Sequence, residues 1–293
     1  MEIGAILALL SALAFAGNQV LVRRATHQAN ESFTAMAMTL LIGTPPFALI
    51  TYLTGEWYYL WSISWRAIIL LISAGIVQFI IVTYVYYSAI RMLGANKAVS
   101  IARTNIIISI LFGIFFLNEH VTAFLVIGAL FIMAGAILVS IGNEKGSVRV
   151  PQKGVFLALG AALGMATSAA FIRLAMQEFP HVFAGTFLAY IASFILIVFI
   201  TVSSHSARRN LLLQKRETVL LLTVVSFAML AAHVLRFAAL IYSPVSVVQP
   251  LQGTIALFVF ALSWIANRRI DVFNWRVIAA ILLVSFGTFL VSY

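Results

Sequence analysis

Ten stretches of about 20 mostly apolar residues follow one another through this chain. They lie at 3–22, 33–53, 66–90, 95–117, 121–141, 153–174, 181–202, 217–241, 244–266 and 272–292. A run of that length is what an α-helix needs to cross a bilayer. The connections between them are short, and even the longest, at 203–216, cannot hold a domain. A membrane β-barrel would alternate polar and apolar residues, and runs such as 106–117 do not alternate. Of the 293 residues 63% are hydrophobic and 9% charged, against roughly 25% charged in a soluble domain. No water-facing surface can be built from that list, so the expected class is an all-α integral membrane protein.

The chain also repeats. Shifted by 150 residues, the first span falls on the sixth without a gap, and nine of the 23 positions from Ile3 to Ala25 are identical, Gly4 with Gly154 and Arg23 with Arg173 among them. At a shift of 152, Leu138-Val139-Ser140 meets Leu290-Val291-Ser292 and Gly135 meets Gly287. A fainter echo at 149 relates 84–119 to 233–268, placing Tyr84 on His233, Tyr87 on Arg236, Ser100 on Gln249, Arg103 on Gln252 and Asn105 on Thr254. Three blocks in one order at nearly one offset predict two repeats, 1–145 and 146–293, of five helices each. An odd number of spans inserts the second repeat upside down, giving ten transmembrane helices as two inverted five-helix repeats, the architecture of many secondary transporters.

The net charge of +10 does not point to nucleic acid, because the basic residues sit in short turns between apolar runs. Alternate connections hold Arg23, Arg24, Arg91, Lys97, Lys145, Arg149, Lys153, Arg208, Arg209, Lys215, Arg216, Arg268, Arg269 and Arg276, and the other side has only Arg66 and Arg173. Lysine and arginine mark cytoplasmic loops. The expectation is therefore a multi-pass plasma-membrane protein with both termini outside. The segment 54–65, with Trp57, Tyr58, Tyr59, Trp61 and Trp65, then serves as an aromatic anchor at the outer interface. Ala14-Phe15-Ala16 has the look of a cleavage site, but Met1-Glu2 supplies no basic leader; the first span reads as a retained helix.

In these features the chain resembles the drug/metabolite transporter superfamily, of the ten-helix EamA type. The residues that carry the likeness are the two five-helix halves, the tyrosine-rich end of span three (Tyr84, Tyr86, Tyr87), Glu119 ahead of Gly128 and Gly135, and Pro250 in span nine. The second half has Arg268 and Arg269 where the family pattern would put an acid. The resemblance implies a transporter, with efflux as the expected direction.

Every acid lies near a predicted helix end: Glu2, Glu31, Glu56, Glu119, Glu144, Glu178, Glu217 and Asp271. A proton-coupled exporter of cationic drugs would want a carboxylate at mid-membrane. Cations lie inside the helices instead. Arg103 is about two turns into span four, and Arg236 lies toward the other end of span eight, with His233 one turn earlier on the same face. An arginine in lipid costs at least ~2.5 kcal/mol at a helix centre. Each therefore either holds an anionic group, for which a guanidinium is suited, or snorkels to the headgroups.

The candidate substrate-binding residues form two layers: Arg103, Tyr84, Tyr87, Ser100 and Asn105 toward one face, and Arg236, His233, Gln249 and Gln252 toward the other. Asn18 and Gln78 read as cavity lining or as interhelical hydrogen bonds. Glu119 reads as structural, and Pro250 as a kink that frees a carbonyl. The faces of Gly128 and Gly135, and of Ala280 and Gly287, suit close helix packing or a homodimer interface. No HExxH, Walker loop or Ser/His/Asp set is present and there is no cysteine, so no catalytic or metal-binding residue and no cofactor is expected. The function expected is secondary transport of a small organic solute: an amino acid, an organic acid or another polar metabolite with an anionic group. A flippase for a lipid-linked anion and a multidrug exporter are the alternatives.

Overall fold

Apolar runs without internal breakers form helices because a backbone in lipid must satisfy its own hydrogen bonds. The computed structural model describes residues 3–29, 32–93, 95–141, 151–214, 216–266 and 275–292. Among them there is helix and no strand. In order these are α1 (Ile3–Ala29), α2 (Ser32–Leu53), α3 (Trp65–Gly75), α4 (Thr83–Leu93), α5 (Ala95–Ala102), α6 (Asn105–Leu117), α7 (Ala123–Ile141), α8 (Gln152–Glu178), α9 (Val182–Ser203), α10 (His205–Leu212), α11 (Arg216–Tyr242), α12 (Val245–Gln252), α13 (Ile255–Ala266) and α14 (Trp275–Ser292). Eight stretches are long and apolar enough to cross a membrane, and two shorter apolar helices, Ala123–Leu138 and Ile278–Ser292, stand where spans five and ten were expected. Much of the basic charge used for orientation lies outside the described residues, at Lys145, Arg149, Lys215, Arg268 and Arg269.

Three spans depart from a continuous α-helix. The third carries a π-helical stretch, Ile76–Val82, between α3 and α4, and the Thr83 hydroxyl donates to the Gln78 carbonyl at 3.3 Å. The fourth breaks between α5 and α6 at Arg103–Thr104, and the ninth between α12 and α13 at Gly253–Thr254. The two breaks are related by a shift of 150 residues, one more than the sequence echo of this region. In each, an eight-residue half-helix precedes the break, so the inverted repeat puts the breaks at opposite depths. Pro250 removes a donor from α12, and Gly253 and Thr254 close the turn with bonds to the Pro250 and Leu251 carbonyls at 2.7 and 3.1 Å.

The two halves interlock. α1 lies along α11, α2 along α9, and α3, α4 and α6 along α8. Alanine makes the close approach possible: Ala8, Ala12 and Ala16 on α1 and Ala158, Ala162, Ala166 and Ala169 on α8 are fully buried. The glycine faces of α7 and α14 meet each other within the chain. A methyl at Gly128 would lie 2.7 Å from the Gly287 carbonyl oxygen, and one at Gly287 would lie 2.6 Å from that of Gly128. These faces thus serve intramolecular packing. Replacing Gly287 by leucine is expected to destabilise the protein by about 1–3 kcal/mol, read as a lowered melting temperature in detergent, because the obstacle is backbone on both sides.

Candidate functional site

The site is built where α1, the π-helical stretch, α9 and α11 converge. His233 lies nine residues and Arg236 six residues before the end of α11, about 13 and 9 Å below that face at 1.5 Å per residue. Tyr190 lies eight residues into α9, about 12 Å from the same face. His233 is 2% exposed and neither ring nitrogen has a hydrogen-bond partner. Its ring is boxed by Phe15 at 5.0 Å, Phe79 at 5.0 Å and Tyr190 at 5.6 Å, all edge-on. Tyr190 is 2% exposed, packs against Phe47 and Phe79, and its hydroxyl is unpartnered.

Arg236 is 5% exposed and its Nε has no partner. The described acids do not reach this depth: Glu56, Glu119, Glu178 and Glu217 all stand at or beside helix ends. Nearby on the same elements, Ser193 Oγ and Gln78 Oε1 are also buried without partners. Buried polar atoms are ordinarily paired. A buried guanidinium whose Nε is unpaired is able to receive a polar, negatively charged group.

The other expected residues divide by burial. Gln249 and Gln252 are buried on α12, and their amides donate to the Met165 and Ala8 carbonyls at 3.4 and 3.1 Å. Asn18 donates to the Val225 carbonyl at 2.7 Å, an interhelical bond between α1 and α11. Its counterpart Ser168 does the same toward Ala74 at 3.1 Å. Asn105 is buried at the start of α6. Arg103 occupies the break itself, half-buried, with its Nε unpartnered, and Ser100 is half-buried one turn earlier. Tyr84 is 70% exposed on α4. Tyr87 is half-buried, and Tyr86 is the tyrosine within Coulombic reach of Arg103. Tyr190 and Tyr86 were not assigned from sequence. Tyr190 carried a usable signal as the one tyrosine of span seven.

Comparison with known proteins gives a consistent picture. A family model, the EamA-like transporter family, matches residues 2–141 and 152–293. No curated protein gives a match. A solved structure, described only as the crystal structure of a protein, superposes with a TM-score of 0.81 over 99% of this chain and 95% of that one, at 15% identity. At that identity the likeness is one of fold.

Proposed function

Because the chain belongs to the EamA-like transporter family, we propose that it is a secondary transporter of a small organic solute with an anionic group, such as an amino acid or an organic acid. It works across the plasma membrane by alternating access, in the direction of efflux. The observation that carries this reading is Arg236, a buried guanidinium with no carboxylate at its depth among the described residues. An unpaired charge there is costly, and a substrate anion is the partner the geometry favours. The breaks at Arg103–Thr104 and Gly253–Thr254 support it, since discontinuous helices at a repeat interface are where transporters bind substrate. Among the described residues a cation exporter finds no buried carboxylate.

The test is thermal stabilisation of the purified protein against acidic, zwitterionic and cationic metabolites, with Arg103→Ala alongside. A ligand of the native state raises the melting temperature by mass action. Stabilisation by acids or zwitterions alone, weakened in Arg103→Ala, supports the reading; stabilisation by cations alone overturns it. A lipid-linked anion is the second reading. It draws on a lateral groove of ≈ 240 Å³ between α6 and α8, lined by Phe112, Phe116, Leu117, Thr167, Ala170, Phe171 and Leu174. A polyprenyl phosphate in the same panel separates the two.

A further inference from the structure

Three charged side chains on one face of the molecule belong neither to the buried site nor to solvent. α6 ends at Asn118, the one non-glycine residue among those described with a left-handed backbone, φ 49°. Asparagine tolerates that conformation better than most residues. The turn, closed by the Glu119 amide on the Gly113 carbonyl at 2.9 Å, aims the Glu119 carboxylate across the repeat boundary. There Oε1 accepts from the Val245 amide at 2.8 Å and Oε2 from the Ser246 amide at 3.0 Å. These are the first amides of α12, which has no side-chain cap of its own. Gly113 makes room, because a methyl at that position would collide with the Glu119 carboxylate.

The same chemistry recurs nearby. Glu56, also in the first repeat, accepts from the Ala184 amide at 2.8 Å at the start of α9. Arg173 donates through Nη1 to the Leu240 and Ile241 carbonyls at 2.6 and 2.8 Å, at the end of α11. Ser243, in the turn between α11 and α12, packs against Gly4 of α1. The α11–α12 turn is thus gripped at both ends, and both carboxylates reach from one repeat to helix N-termini of the other. A carboxylate at a helix N-terminus gains from charge-assisted bonds and from the helix dipole. In the sequence the residue 149 positions beyond Glu119 is Arg268, and a guanidinium cannot accept an amide proton.

We propose that Glu119 and Glu56 form a latch that holds the two repeats closed on this face, with Arg173 fixing the α11–α12 turn within the second repeat, and that the transport cycle requires the two carboxylate–amide links to break and re-form. They are positioning residues, distant from the substrate atoms. The inference rests on the alternating-access reading, but its test needs no transported solute.

The chain has no cysteine, so Ser246→Cys gives a single, nearly isosteric thiol at the latch, where Ser246 is fully buried. The measurement is the labelling rate of that thiol by a membrane-impermeant maleimide, in an otherwise unchanged chain and with Glu119→Gln, Glu119→Asp, Gly113→Ala or Glu56→Ala added. Glu119→Asp keeps the charge but is one methylene too short for both amides; Gly113→Ala keeps the carboxylate and displaces it. Loss of a helix cap predicts roughly a tenfold rise in labelling. Glu56→Ala is expected to raise it as well, from about two helices away. Unchanged labelling in Glu119→Asp and Glu56→Ala, with melting temperatures showing both folded, overturns the latch. A labelling rise without any metabolite-dependent stabilisation leaves the latch standing and counts against the anion-transport reading alone.

Discussion

Replacing Arg236 by methionine is expected to raise the melting temperature of the ligand-free protein and to abolish its stabilisation by anionic metabolites. The two effects have opposite signs for one physical reason. Arg236 is 5% exposed with an unpartnered Nε, and the described acids stand at or beside helix ends, away from its depth. A buried charge without a counter-charge destabilises the fold, and an apolar side chain of similar volume is often neutral or stabilising in its place. With an anion bound, the same guanidinium becomes half of a hydrogen-bonded charge pair. Truncating one partner of such a pair costs roughly 2–5 kcal/mol, a factor of about 30 upward in affinity. Arg236→Lys retains charge without the planar fork and falls between. A structural arginine behaves in the other way: its removal lowers the melting temperature and leaves the metabolite response intact. The experiment is a thermal-shift titration on wild type, Arg236→Met and Arg236→Lys with the same anion.

The spans were legible because a helix crossing lipid leaves a long apolar run, and the repeat because Gly4 and Gly154, or Arg23 and Arg173, coincide at one offset. The break in span nine was signalled by Pro250. The break in span four was marked only by Arg103, an expensive residue at that depth. The π-helical stretch Ile76–Val82 had no signal, since Ile-Val-Gln-Phe-Ile-Ile-Val reads as ordinary apolar helix. It had a consequence, however. An extra residue in a turn rotates everything beyond it by about 100°, so faces carried forward from Gln78 on an α-helical wheel are misplaced. Tyr84, grouped with Arg103 through its repeat correspondence to His233, lies beyond that stretch and is 70% exposed. Glu119 was recognisable as structural, but its partners Val245 and Ser246 lie 126 and 127 residues away. No local pattern encodes a cap that distant. The unpartnered hydroxyl of Tyr190 likewise depends on which helices meet α9, which is a property of the fold.

Gly75→Ala is expected to cost far more than its single methyl suggests, and more than the same change at Gly185. Gly75 ends α3 where the π-helical stretch begins, and a methyl there would collide with the carbonyl oxygen of Ala189 on α9. The obstacle is backbone, so α3 and α9 must separate. Overpacking of this kind costs about 1–3 kcal/mol, and more where the surroundings cannot yield. The separation also reaches the site, because Ala189 precedes Tyr190, Ala74 accepts the Ser168 hydroxyl at 3.1 Å, and Phe79 packs on both Tyr190 and His233. At Gly185, four residues earlier on α9, the added methyl would meet the terminal methyl of Met176, and a methionine end moves aside cheaply. The expected order is therefore a large loss of melting temperature and of metabolite-dependent stabilisation in Gly75→Ala, and a small loss of the first alone in Gly185→Ala. Equal losses in the two variants would mean that α3 and α9 can part freely at Gly75, and that the aromatic box around His233 is not held by that crossing.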